Sequence, residues 1–209
     1  MARVASSAGD QPDAELVRRY VAGDPAAFSV LVARHERRVY NLAYRMLGRE
    51  EDARDATQDA FLTALRKLSS FRGEAAFTTW LHRVTVNACY DILRKRKREP
   101  VLEERPEDDR AGGASGPGGP AGPPSPDHAE SAATAVDVQR ALVQVPYEFR
   151  TVLVLHDVQD LGYDEIADIL GVPVGTVKSR LHRGRAALGR LLGGERSGSP
   201  RPSEGRMSP

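Results

Sequence analysis

Residues 112–126 read GGASGPGGPAGPPSP, with no side chain larger than proline. Such a run cannot bury enough apolar surface to offset the entropy of ordering it. It sits inside a longer acidic stretch, Glu99 to Ala135, with eight carboxylates against two arginines. The chain of 209 residues therefore cannot be built on one continuous core. It reads as a flexible N-terminus over 1–12, a first domain over 13–98, a linker over 99–135, a second domain over 136–193 and a disordered tail over 194–209. A flexible linker of about 37 residues has a root-mean-square span of roughly 30–36 Å, so the two domains can occupy separate sites.

The first domain carries helical signals only. Asp13 can cap a helix over DAELVRRYVAG; Asp24 caps and Pro25 opens a second, PAAFSVLVARHERRVYNLAYRML, which Gly48 can close. A third runs from about Glu50 to Leu68, with Ala53, Ala56, Ala60, Phe61, Ala64, Leu65 and Leu68 as its buried stripe. Asp52, Asp55, Gln58 and Asp59 form its exposed acidic side. No segment alternates with period two, so the expected fold class is all-α.

The fourth helix, FTTWLHRVTVNACYDILRKRKR at 77–98, has two faces. Trp80, Leu81, Val84, Ala88, Ile92 and Leu93 lie along one side and call for a core. Arg83, Asn87, Asp91, Arg94 and Arg98 follow at steps of four, four, three and four and form a polar row. The helix ends in five consecutive basic residues. One or two cations satisfy the negative pole of a helix dipole; five point to an anionic partner. Phe71, Phe77, Thr78, Thr79 and Trp80 can form an aromatic platform beside that cationic helix, the arrangement that holds unstacked single-stranded bases.

Past the linker, Val138 to Leu142 and Tyr147 to Asp157 read as two helices separated at Pro146. Then Tyr163 to Leu170 makes a short amphipathic helix, Gly171 takes the left-handed position, Val172-Pro173 turn, and another helix begins near Gly175. This is a helix-turn-helix. Ala167 is small where two helices cross, Val172 plugs the turn, and Val177 and Leu181 pack back. The opposite side of the second helix carries Lys178, Ser179, Arg180, His182, Arg183 and Arg185, with no acid from Val177 to Gly194. That face suits a DNA major groove, where cations neutralise phosphate and donors reach base edges.

Composition closes off other classes. The formal net charge is only +1, but the first 98 residues hold 18 basic and 12 acidic groups, so the cations are concentrated rather than spread. No apolar run approaches a membrane span and Met1 to Gly23 has no signal-peptide core, so a cytoplasmic protein without membrane insertion is expected. Cys89 is the sole cysteine and the five histidines lack metal-ligand spacing, so neither metal nor cofactor is expected. No held pair of carboxylates suggests an enzyme: Asp108 and Asp109 lie in the acidic linker, and Cys89 falls on a core-facing helical position.

Three motifs in order, ARDATQDAFLTAL, FRGEAAFTTWLHRVTVNACYDILRKRKR and GYDEIADILGVPVGTVKSRLHRGRAAL, resemble bacterial RNA polymerase sigma factors of the extracytoplasmic-function class. The resemblance implies two helical domains, sigma-2-like and sigma-4-like, joined by a flexible linker. It implies a non-enzymatic protein that binds core RNA polymerase through the β′ clamp and β, directs it to promoter DNA and helps open the −10 region. Carried over by residue, Asp55 and Gln58 contact the clamp coiled coil. Family members usually have an acid where this chain has Arg54. Phe71, Phe77, Trp80, Arg83, Asn87, Arg94 and Arg98 serve the −10 site, and Thr176, Lys178, Ser179, Arg180, His182 and Arg183 read the −35 element. The linker resembles those that thread toward the RNA exit channel. Members are commonly held by an anti-sigma factor, which makes one a candidate partner. The competing class is a conventional helix-turn-helix regulator acting without core polymerase, but such a protein has no use for the Trp/Asn/basic helix of the first domain.

Overall fold

The computed structural model describes residues 11–71, 73, 75–98 and 126–195, with backbone alone over 126–134 and 194–195. Of the expected flexible N-terminus (1–12), linker (99–135) and tail (194–209), residues 1–10, 99–125 and 196–209 lie outside the described residues. All elements among the described residues are helical, and the packing divides the chain into two units between Val136 and Asp137.

In the first unit α1 spans Asp13–Val21, α2 Pro25–Leu47, α3 Glu50–Lys67 and α4 Phe77–Arg98, with a 3₁₀ turn at Leu68–Ser70. Asp24 caps α2 by accepting the Ala26 N–H at 3.0 Å, which satisfies one of the donors a helix start leaves orphaned. Gly48 ends α2 at φ 80°, in the left-handed region that glycine enters without steric cost. Asp13 does not cap α1. Pro12 holds that position without a side-chain bond. The Asp13 carboxylate instead reaches α2, where it pairs with Arg34 at 2.5 Å and accepts from His35 Nε2 at 2.8 Å. A carboxylate one residue inside the helix points away from the end, and two donors on α2 claim it.

The bundle core joins Leu16, Leu31, Val39, Ala60, Ala64, Leu68, Phe77, Leu81 and Val84. Ala53, Ala56, Ala60 and Ala64 are fully buried, and four alanines in a stripe let α3 approach α2 and α4 closely. Phe61 stays half-buried and Leu65 is exposed, contrary to expectation, because an alanine stripe this narrow is covered before the flanking large residues are. α2 and α4 run parallel with α3 antiparallel between them: the His35 ring meets Phe77 at 5.5 Å near the start of α4, and Asp52 at the head of α3 pairs with Arg96 near its end.

α4 buries more of its surface than its apolar spacing suggested. Thr79, His82, Thr85, Val86 and Cys89 are all buried, because α2 and α3 both pack on it. Thr85 tolerates this by donating its hydroxyl to the Leu81 carbonyl at 2.9 Å.

α5 spans Pro126–Gln144 and crosses that division; the second unit continues with α6 Tyr147–Leu153, extended as a π turn through Val158, α7 Tyr163–Leu170 and α8 Val174–Glu195. The helix α5 takes in the last ten residues, 126–135, of the expected linker; its sequence after Pro126, rich in alanine, carries no glycine. Arg150 is buried and caps α5 from below, its guanidinium donating to the carbonyls of Val143 and Val145. Burial pulls its pKa below the ordinary arginine value. Gly171 ends α7 at φ 64°, and the N–H of Val172 turns back to the Ala167 carbonyl at 3.1 Å. Glu165 accepts the Gly162 N–H at 3.0 Å, the half of a capping box that a glycine allows. Val177 and Leu181 are buried as expected. A glycine not singled out from sequence, Gly184, is where α8 crosses α6: a Cβ there would lie 2.9 Å from Leu153 Cδ1 and 3.2 Å from the Phe149 carbonyl oxygen.

Candidate nucleic-acid interface

On α4, Arg83, Asn87, Asp91, Arg94 and Arg98 are all exposed. At 1.5 Å per residue the row from Arg83 to Arg98 is about 22 Å long. Asn87, Arg94 and Arg98 line a groove of about 790 Å³ between α3 and α4, whose other wall includes Asp59, Arg66 and Lys67. Arg66 and Lys67 were not among the residues expected from sequence. The signal available was their position in the last turn of α3, but only the packing of α3 on α4 shows that they share a groove with the α4 row. The exposed basic residues outnumber the two groove carboxylates, Asp59 and Asp91, so the groove favours an anion.

The cationic end of α4 is not wholly available. Arg96 pairs with Asp52, the two side chains 33% and 17% exposed, so Asp52 belongs to the α3–α4 packing rather than to the exposed acidic side assigned to it. Arg94, Lys95, Lys97 and Arg98 remain exposed. At the other end of α4, Phe71, Phe77 and Trp80 form one cluster with ring centroids 5.3 to 6.2 Å apart. Phe71 and Trp80 are half-buried. Phe77 is only 5% exposed and packs on His35 as well, so it lies beneath the two half-buried rings.

Asp55 and Gln58 are exposed on α3, on a side that also presents Leu62 and Leu65, each 39% exposed. Arg54 lies beside them and is held by Glu50 at 2.9 Å.

On α8, Lys178, Ser179, His182 and Arg183 are exposed and Thr176 is half-buried. Ser179 donates to the Thr176 carbonyl at 3.0 Å, and the Lys178 ammonium sits 5.5 Å from the Tyr163 ring centroid. Arg180 differs from the expected groove-facing cation: it is half-buried and turned toward Glu148 of α6, 3.8 Å away, because its position borders the α6 crossing. Arg185 is also engaged, bonding Asp157 at 2.5 Å. That hydrogen bond lowers the Asp157 pKa and raises that of Arg185. The outward centre of the helix is thus Ser179, His182 and Arg183. Among the described residues there is no helix long and apolar enough to cross a membrane and no grouping of side chains that could hold a metal ion.

The Sigma-70 region 2 family matches residues 31–99 and the Sigma-70 region 4 family matches residues 135–188. The chain is 43% identical over 187 residues to the ECF RNA polymerase sigma factor SigM of Mycobacterium tuberculosis, covering 88% of this chain and 86% of that protein. It is 34% identical over 180 residues to the ECF RNA polymerase sigma factor SigW of Bacillus subtilis, covering 84% and 94%. Among solved structures it is similar to CnrH in complex with the cytosolic domain of CnrY, with a TM-score of 0.63 and 26% identity over 88% of this chain and 98% of that one. It is similar also to the sigma factor RpoE in complex with the anti-sigma factor NepR from Bartonella quintana, with a TM-score of 0.60 and 26% identity over 79% and 96%. On these matches, and with both helical units in place, the chain belongs to the extracytoplasmic-function family of RNA polymerase sigma factors.

Proposed function

We infer that this protein binds core RNA polymerase, directs it to specific promoters and helps open the −10 region for initiation. The observation that carries the reading is the outward row of α4 over the α3–α4 groove. It is a surface suited to a single strand, and it shares a chain with a helix-turn-helix suited to duplex. A conventional regulator needs the second and has no use for the first. Asp55, Gln58, Leu62 and Leu65 on α3 dock on the polymerase clamp. Trp80, Phe71, Arg83 and Asn87 receive the melted non-template strand, and Arg94 and Arg98 grip its phosphates. Flipping a base out of the stack costs a few kcal/mol, which stacking on Trp80 and hydrogen bonds from Asn87 return. Ser179, His182, Arg183 and Lys178, with Thr176 at their edge, read and hold the −35 duplex, and Arg180 joins them on releasing Glu148. The chemistry of RNA synthesis stays with the polymerase, so the chain has no catalytic centre, and its place of action is the cytoplasm. An anti-sigma protein is a further partner, supported by the likeness to CnrH with the cytosolic domain of CnrY and to RpoE with NepR.

Run-off transcription over a randomised promoter library, with core polymerase in the presence and absence of the chain, tests this. Specific starts that require the chain are expected. Sequence-specific DNA binding by the chain alone, with no starts when core is added, would instead establish the regulator.

A further inference from the structure

Beside the α4 row, α2 carries a second stripe that the promoter-opening reading does not use. Arg34, Arg38, Asn41 and Arg45 follow at steps of four, three and four and so share one side of the helix. Arg34 is committed to Asp13. Arg38 and Asn41 are exposed, and Arg38 has no carboxylate partner among the described residues. No acid occurs between Glu36 and Glu50. Arg38 follows His35 by three residues, and the His35 ring meets Phe77 of α4 at 5.5 Å, so Arg38 lies toward the flank of α2 that packs on α4. Arg83, one residue beyond His82 and turned about 100° outward, borders the same seam from the other side. α2 and α4 run parallel, so Arg38 and Asn41 of α2 and Arg83 of α4 stand on neighbouring helices whose axes are separated by the roughly 8–10 Å of packed helices.

Arg38 is exposed and pairs with no carboxylate among the described residues, so its charge is open to an anion that arrives from outside. Arg38 with Asn41 on α2 and the row on α4 offer donors along two neighbouring helices, which fits the repeated phosphates of a nucleic acid strand better than the scattered carboxylates of a protein surface.

We propose that the Arg38–Asn41 stripe of α2 is a second phosphate-binding track, contacting the sugar–phosphate backbone of promoter DNA as it passes along α4. The proposal rests on the reading of α4 as the strand-binding face. The test measures affinity of the assembled holoenzyme for a pre-melted promoter template, selected from the randomised library, as a function of salt. Losing one phosphate contact to single-stranded DNA reduces the slope of log K against log salt by about 0.7. Arg38→Ala is expected to lower the slope by about that amount, Arg38→Lys to keep it, and both to assemble with core like the wild type. Asn87→Ala runs alongside. If Asn87→Ala impairs opening while Arg38→Ala leaves slope and affinity unchanged, the α2 track is wrong and the α4 face stands. Weaker assembly of Arg38→Ala with core at an unchanged slope also overturns the track and gives this stripe to the polymerase. If neither variant has any effect, the α4 reading falls and the track with it.

Discussion

Single side chains separate what holds this protein together from what it presents. His82 is 2% exposed, and burial, then the charges of Arg38 and His35, lower its pKa from 6.5 to about 4. Its folded pKa is below its unfolded one, so the unfolded state binds more protons between those values. Stability is therefore intact above pH 6.5 and falls as the pH drops toward 4, by about 1.4 kcal/mol per unit. Urea unfolding at pH 7 and pH 4.5 should show His82→Leu losing about 2–3 kcal/mol less than wild type over that interval; equal losses would mean the histidine is not the acid-sensitive group. Arg96 and Lys97 make a second contrast. Arg96→Ala strands the part-buried Asp52 and should cost about 1–2 kcal/mol of stability, discounted from a fully buried pair because both groups keep some solvent. Lys97→Ala, at an exposed position, should leave unfolding unchanged and reduce the salt dependence of DNA binding. The sequence could not tell these neighbours apart. Both belong to one basic run, and only the docking of α3 decides which cation meets a carboxylate. Phe77 hides for the same reason: aromatic spacing announces a cluster, while the side that faces His35 is set by packing between α2 and α4.

Helices were legible where the backbone itself enforces them. Asp24 with Pro25, Gly48 and Gly171 each do a job that few other residues do, so the ends of α2 and α7 could be placed from sequence. The outward row of α4 was legible because its spacing depends on helix pitch alone. The Asp13 pair with Arg34 and His35, the turn of Arg180 toward Glu148 and the groove position of Arg66 and Lys67 depend on which helix lies next to which, and no local pattern encodes that. Gly184 is the sharpest case. It reads as a weak helix residue, yet the crossing with α6 requires its missing Cβ. Gly184→Ala gains helix propensity but overpacks Leu153 and the Phe149 carbonyl, and should destabilise the second unit by about 1–3 kcal/mol. Gly189→Ala, with open space around its position, should be neutral or slightly stabilising. Thermal unfolding of the two variants beside wild type checks the difference, and equal melting temperatures would remove the crossing as the reason for the glycine.

At the scale of the whole molecule, a near-neutral chain presents cations on two separate helical units, α4 in the first and α8 in the second. Each unit is compact in itself, so residues 11–98 and 126–195 produced separately should each unfold cooperatively, with helical circular dichroism close to their share of the whole. A first unit that is unfolded alone would contradict this division. The division of labour between the units rests on α4 acting on a melted strand, and the reactivity of −10 thymines to permanganate measures that action directly. The holoenzymes of wild type and Asn87→Ala are compared on a duplex promoter and on the same promoter with the −10 region opened in advance. Asn87 is the cleanest probe because its side chain is exposed and lies outside the core. The expected result is strong reactivity with wild type on duplex, a marked loss with Asn87→Ala at unchanged core affinity, and recovery of most of that loss on the pre-opened template. Equal thymine reactivity of the two proteins on duplex DNA would contradict the assignment of the α4 face to promoter opening.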